Sequence, residues 1–188
     1  MSTTTTVSGS LTAERQNVIN HFDPLREVLG QLRRLVRELN VDQYNLKPVT
    51  TYSGSLGGHV RHCLDHAKAL LNGINGGLVD YEARERGNTV ETDPVVAHRE
   101  LERIEAELAA LSPEVADREV TTSFLLTPAG PPLRAESTVT REIAFVLSHT
   151  IHHNAMIGGM AKAVGAVVPG DFGMAPGTLK HDQAAKAS

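Results

Sequence analysis

The chain has 188 residues, 40% hydrophobic and 21% charged, a composition typical of a globular protein with a hydrophobic core. Its formal net charge of −4 argues against a basic surface for nucleic acid, and no apolar run approaches the roughly 20 residues of a membrane helix. A single cysteine, Cys63, excludes an internal disulfide and is typical of a reducing compartment. Since no secretory leader is visible, we expect a cytoplasmic protein that binds neither nucleic acid nor membrane.

The first predicted helix follows a short segment of low complexity. Residues 1–10 are rich in Ser and Thr and are predicted to be disordered. Apolar residues then recur at three- and four-residue steps over 11–40, which predicts a helix. Pro24 lies inside this pattern, so either a fresh helix begins at Asp23-Pro24 or one long helix bends there. We favour one long, bent helix.

The second predicted helix runs from Leu56 to about residue 72. Ser55 directly before it is a suitable N-cap. The polar segment 78–91 that follows the helix is predicted to be a long loop. Its residues Arg84 and Arg86 are candidates for binding a carboxylate of a substrate.

The second half of the chain contains two further helices and a glycine-rich tail. Asp93-Pro94 is a good helix start, and the third helix follows it. Weak alternation over 119–126 and 133–139 predicts a short hairpin or an extended crossover. The fourth helix spans 140–163. These elements predict an all-α protein, a four-helix bundle with one long crossover connection, over residues 11–165, followed by a Gly/Pro-rich tail over 166–188.

Six of the nine histidines lie in two short stretches, 59–66 and 149–153. In the first stretch, His59, His62 and His66 are spaced three and four residues apart. On a helix they therefore lie within about 60° of one another and form a stripe separate from the apolar face.

The second stretch pairs two histidines on the fourth helix. His149 and His153 are four residues apart, a spacing that can bring two imidazoles onto one metal ion. His152 points about 100° away from His153 and does not join the pair. Glu142 lies seven residues before His149 and shares its face of the helix.

These histidines favour a catalytic metal site. Neutral imidazole is a common ligand of zinc, nickel, copper and iron. Two ligands from the fourth helix and one from the second, either His59 or His62, would hold a divalent ion with open coordination positions. The ion would lower the pKa of a bound water or thiol, which would attack a small electrophilic substrate. His66 or His59 could serve as an acid–base group or as a partner of a ligand.

Two alternative interpretations stay open. If Glu142 joins the three histidines, the set is typical of a non-haem iron site that handles oxygen. Alternatively, the protein is a non-catalytic, stress-related module whose histidines hold a metal for stability or hold none. Bound iron, rather than zinc or nickel, would favour the first alternative. Melting that is unchanged after chelation would favour the second, because a structural ion contributes strongly to folding.

Two motifs resemble those of the DinB-like (YfiT-like) superfamily of metal-binding four-helix proteins. One is S-L-G-G-H-V-R-H at 55–62, and the other is H-T-I-H-H-N-A-M at 149–156, with V-G at 164–165. The resemblance implies His62, His149 and His153 as metal ligands. It also implies a homodimer and a thiol-dependent transferase or isomerase, in which the metal activates a low-molecular-weight thiol.

The chain departs from the common family pattern near the second motif. H-N-A-M stands at 153–156 where the family commonly has H-R-G-Q, so a polar group near the metal is replaced. His59, His66 and His152 are additional histidines. These departures leave the choice between a transferase and a hydrolase open.

Overall fold

The computed structural model describes residues 20–47, 54–83 and 87–186. The predictions made for residues 1–10, for the part of the first helix over 11–19, and for Arg84 and Arg86 lie outside these ranges. Within the ranges, the α-helices are α1 Asp23–Arg37, α2 Val41–Asn45, α3 Leu56–Gly76, α4 Pro94–Ala110, α5 Val139–Ala163 and α6 Pro176–Lys186. The β-strands are β1 Leu78–Asp80, β2 Glu119–Phe124 and β3 Leu133–Thr138.

The start of α1 corrects the sequence prediction. The preference for one helix that bends at Pro24 is wrong, because residues 20–22 form a turn and α1 begins at Asp23. The Asn20 side chain accepts a hydrogen bond from the Phe22 backbone amide at 3.1 Å, and this closes the turn. Pro24 then lies in the first turn of the helix, where its missing amide hydrogen breaks no intrahelical bond.

The four long helices enclose one hydrophobic core. Helix α1 packs against α4 and α5, and α3 packs against the same two helices. The helix starts predicted from cap residues are confirmed: the Ser55 hydroxyl accepts from the Gly58 amide, and the Asp93 carboxylate accepts from the Val95 amide. The fully buried apolar side chains between the helices include Leu25, Leu29, Leu64, Leu101, Ile104 and Val146.

A small three-stranded sheet lies beside the helices, in the order β1-β2-β3. Strands β2 and β3 are antiparallel and form a hairpin before the last long helix, one of the two alternatives that the sequence predicted there. Strand β1 pairs with β2 in parallel, with Leu78 opposite Thr121. The segment 78–91, predicted as a loop, therefore contains a strand. The chain is mostly helical with a small mixed sheet, and the all-α prediction did not include β1.

The segment after α5 folds back onto that helix. Phe172 is buried and contacts the position of Gly158, where an added Cβ would lie 3.1 Å from the Phe172 ring. Gly173 has a φ of +72°, and a Cβ there would lie 2.4 Å from the backbone nitrogen of Ala155. Only glycine permits this contact with the backbone of α5, inside the second histidine motif. The predicted Gly/Pro-rich tail also contains α6. Among the helices in the described ranges, none has both the length and the apolar character needed to cross a bilayer.

Candidate metal centre

The N-terminal turns of α3 are held in place by a close backbone contact. A Cβ at Gly57 would lie 2.0 Å from the carbonyl oxygen of Glu91 and 2.6 Å from the Tyr44 ring. Only glycine therefore fits between α3 and the turn at Glu91. Together with the Ser55 cap, this contact fixes the register in which α3 presents its histidines to α5.

Three histidines from the two helices converge. His62 Nε2 lies 3.0 Å from His149 Nε2. His62, His149 and His153 each offer one nitrogen, and the three nitrogens lie within 4.8 Å of one another. His153 is buried, and the other two side chains are partly buried. The structure thus brings together the three residues that the sequence motifs indicated.

The donor set fits a divalent metal ion. Two imidazole nitrogens bound to one tetrahedral zinc at about 2.0–2.1 Å are separated by about 3.3 Å, close to the distance between His62 and His149. Burial, and to a lesser degree the neighbouring histidines, lower the pKa of His153 to about 3. His153 is therefore neutral near pH 7, which is the form that binds a metal. Three imidazoles suit zinc, nickel or iron.

Two further histidines complete a cluster of five rings. His59 Nδ1 lies 3.2 Å from His153 Nδ1. The ring of His66 stacks on that of His149 with centroids 4.1 Å apart, and its Nδ1 lies 3.0 Å from the backbone oxygen of His62. Because a carbonyl oxygen only accepts hydrogen bonds, Nδ1 of His66 carries the proton in this contact.

Glu142 lies outside the group of three histidines. Its side chain is fully buried, and Oε2 accepts a hydrogen bond from the Tyr81 hydroxyl at 2.6 Å. Oε1 accepts from the Ser137 hydroxyl and from the Arg141 guanidinium. The carboxylate is therefore engaged by three donors, and this arrangement gives no support to Glu142 as a fourth metal ligand.

Tyr81 and Phe145 line the site and were not singled out from the sequence. The Tyr81 ring stacks on His66 at 5.2 Å and meets Phe145 edge-on at 5.1 Å. Phe145 in turn stacks on His149 at 5.8 Å. Tyr81 directly follows β1, in the segment predicted as a loop, and no periodicity in that segment indicated a buried aromatic residue. The four rings form an aromatic wall, defined by Tyr81, Phe145, His66 and His149.

His152 lies outside the histidine group, as the sequence indicated, and Cys63 is a buried thiol. His152 is exposed and, although its ring contacts that of His153, it lies outside the group of three converging histidines. Cys63 is buried on the apolar side of α3, and burial raises the pKa of its thiol to about 12. The thiol is therefore protonated and poorly nucleophilic at neutral pH.

The mostly helical fold and the three converging histidines are those of a candidate metal-binding protein. The sequence profile of the DinB superfamily matches residues 24–157, and the chain belongs to this superfamily. A DinB-like protein of Bacillus subtilis, YjoA, has a similar fold, with a TM-score of 0.56 and 24% identity over 81% of this chain and 95% of that chain. FK506-binding protein 5 of Rhizopus delemar is 28% identical over 105 residues. That match spans 55% of this chain and 27% of the relative's own length.

Proposed function

We propose that this protein is a divalent-metal-dependent enzyme in which His62, His149 and His153 hold zinc, nickel or iron. The observation that carries the proposal is the convergence of one nitrogen from each histidine, all within 4.8 Å of one another. A divalent ion bound there would lower the pKa of a coordinated water or thiol near neutral pH. Three protein ligands leave coordination positions open, which is typical of a catalytic site.

We further propose that His66 is the acid–base group of this site. In the contact with the His62 carbonyl, the proton of His66 is on Nδ1. Nε2 of the neutral ring is then the basic nitrogen, able to take a proton from the attacking group and return it to the product. The stacking of the His66 ring on that of His149 supports this role beside the proposed metal ion.

In this proposal Glu142 acts through Tyr81. The buried carboxylate holds the Tyr81 hydroxyl, and the Tyr81 ring covers one side of His66. The aromatic wall excludes water from that side of the histidines, so a small electrophilic substrate enters from the opposite side.

Three wider features belong to the same proposal; the sequence resemblance supports the bundle and the homodimer, and the single cysteine supports the cytoplasmic location. The four long helices form the four-helix bundle of the family, two chains form a homodimer, and the protein works in the cytoplasm. The contacts of α1 and α3 with both α4 and α5 support the bundle.

The experiment that tests the catalytic role measures, for a panel of small electrophiles, both the consumption of a low-molecular-weight thiol and hydrolysis in the absence of thiol. It compares zinc-, nickel- and iron-loaded protein with chelated protein, and with His66→Gln at full metal occupancy. We expect metal-dependent turnover that falls about 100-fold in His66→Gln, since general acid–base catalysis contributes about 10²–10⁴-fold. If the fully loaded protein catalyses neither thiol transfer nor hydrolysis of any electrophile, the catalytic role is wrong and a non-catalytic module is favoured.

A further inference from the structure

We propose that His59 is a positioning residue for His153. Its Nδ1 accepts a hydrogen bond from the Nδ1–H of His153, which leaves the lone pair of His153 on Nε2 as the one that can join His62 and His149 on a metal ion. This inference rests on the proposed metal site and assigns His59, an additional histidine of this chain, a role other than that of a ligand.

The distance between the two rings supports a hydrogen bond. The two Nδ1 atoms are 3.2 Å apart, within hydrogen-bond range, and the ring centroids are 5.4 Å apart. His59 lies outside the group of three converging histidines, so a shared proton rather than a metal ion accounts for this contact, because two lone pairs alone would repel each other. His153 is 8% exposed, so water does not readily replace His59 as its partner.

The requirement for a free ligand nitrogen fixes the direction of the hydrogen bond. A neutral imidazole has one N–H and one nitrogen with a lone pair. If His59 donated to His153, the proton of His153 would be on Nε2, and neither of its nitrogens could bind a metal. If His153 donates, its Nε2 carries the lone pair and can join His62 and His149. Ligating histidines commonly donate their second nitrogen to a carboxylate or carbonyl acceptor, and here an imidazole takes that place.

The position of His59 on α3 explains how it reaches His153. His59 lies one helical turn before His62, on the same stripe, while His149 lies one turn before His153 on α5. His62 meets His149 and His59 meets His153, so the two pairs form successive contacts along the two packed helices. The close packing at Gly57, two residues before His59, holds this end of α3 in register.

The experiment measures zinc affinity by competition with a chromophoric chelator in four full-length proteins. These are wild type, His59→Leu, His59→Gln and His152→Leu. His59→Leu removes the hydrogen-bond acceptor, and the amide oxygen of His59→Gln restores one. His152→Leu is the matched control. The control is apt because the ring of His152 also contacts that of His153, at 5.6 Å. In parallel, NMR of the ¹⁵N-histidine-labelled, zinc-loaded wild type identifies which nitrogen of His153 carries the proton.

We expect one zinc per chain in all four proteins, with an affinity 10–100-fold weaker in His59→Leu. The affinity of His59→Gln should lie closer to that of wild type, and His152→Leu should bind as wild type does. In the zinc-loaded wild type, His153 should carry its proton on Nδ1 and zinc on Nε2.

Several outcomes would overturn the inference while leaving the metal site intact. They are an unchanged affinity in His59→Leu, an equal loss in His59→Leu and His59→Gln, zinc on Nδ1 of His153, or zinc on a nitrogen of His59. A wild-type protein that takes up no zinc, nickel or iron would contradict the proposed function itself, and the inference with it.

Discussion

Replacing Tyr81 with phenylalanine should destabilise the protein through one hydrogen bond. Tyr81 is 7% exposed, and its hydroxyl donates to Glu142 Oε2 at 2.6 Å, a length typical of a bond to an ionised carboxylate. The phenylalanine ring keeps the stacking on His66 and the contact with Phe145. The change therefore removes one donor from a carboxylate that is 0% exposed. A hydrogen bond to a charged group contributes about 1.5–3 kcal/mol, so we expect the free energy of unfolding to fall by about 2 kcal/mol.

Urea unfolding measures this loss, and Tyr44→Phe is the matched control. Tyr44 is also buried, but its hydroxyl donates to a neutral acceptor, the backbone oxygen of Val90, at 2.8 Å. A bond between neutral groups contributes about 1 kcal/mol, so Tyr44→Phe should cost about half as much as Tyr81→Phe. Equal m-values would show that both variants unfold from comparably compact states. If Tyr81→Phe costs no more than Tyr44→Phe, Glu142 does not hold Tyr81 through a charged hydrogen bond.

Three further predictions concern packing, reactivity and pH. Gly57→Ala should lower the free energy of unfolding, measured in urea, by about 2 kcal/mol or more, because the added Cβ has no space. Gly76→Ala is the control, since no atom lies within 4 Å of its added Cβ, and it should leave the free energy of unfolding nearly unchanged. Equal effects of the two substitutions would contradict the packing argument. Cys63 should react with iodoacetamide only after unfolding, as mass spectrometry of native and urea-unfolded protein can show, because burial raises its thiol pKa to about 12. Hydrogen bonding from Arg103, and secondarily from a lysine, lowers the pKa of Glu100 to about 2, below its unfolded value near 4.5. The ionised Glu100 side chain therefore stabilises the folded protein above pH 4.5, and this contribution is lost as the pH falls toward 2. Glu100→Gln should thus lower the free energy of unfolding by about 1 kcal/mol at pH 7 and by almost nothing at pH 2. The value at pH 7 is small because Arg103 is 47% exposed and solvent screens the pair. A loss that does not depend on pH would refute this prediction.

The long helices and the histidine trio could be predicted from local patterns. The cap residues Ser55 and Asp93 and the three- and four-residue spacing of apolar side chains fixed the starts and faces of α3 and α4. The same spacing placed His149 and His153 on one face of α5. Which histidine of α3 joins this pair depended on packing between the helices, and the motif resemblance favoured His62 over His59.

The remaining features depend on contacts between distant segments. Strand β1 has three residues and forms only because β2, about forty residues later, pairs with it. Glu142 does share a helix face with His149, but seven residues correspond to about 10.5 Å along the axis. That rise carries Glu142 beyond the histidines to Tyr81, which the sequence left in a loop. At Pro24 the apolar period continued through a helix start, so periodicity alone could not locate the beginning of α1.

The metal content of untagged protein tests the central claim most directly. Plasma mass spectrometry would compare wild type, His149→Ala and the exposed-histidine control His152→Ala after incubation with zinc, nickel or iron and removal of unbound metal. We predict about one divalent ion per chain in wild type and in His152→Ala, and loss of that ion in His149→Ala, because His149 supplies one of three converging nitrogens. Wild-type protein that retains no metal, or His149→Ala that retains as much as wild type, would contradict the assignment of these histidines as a metal centre.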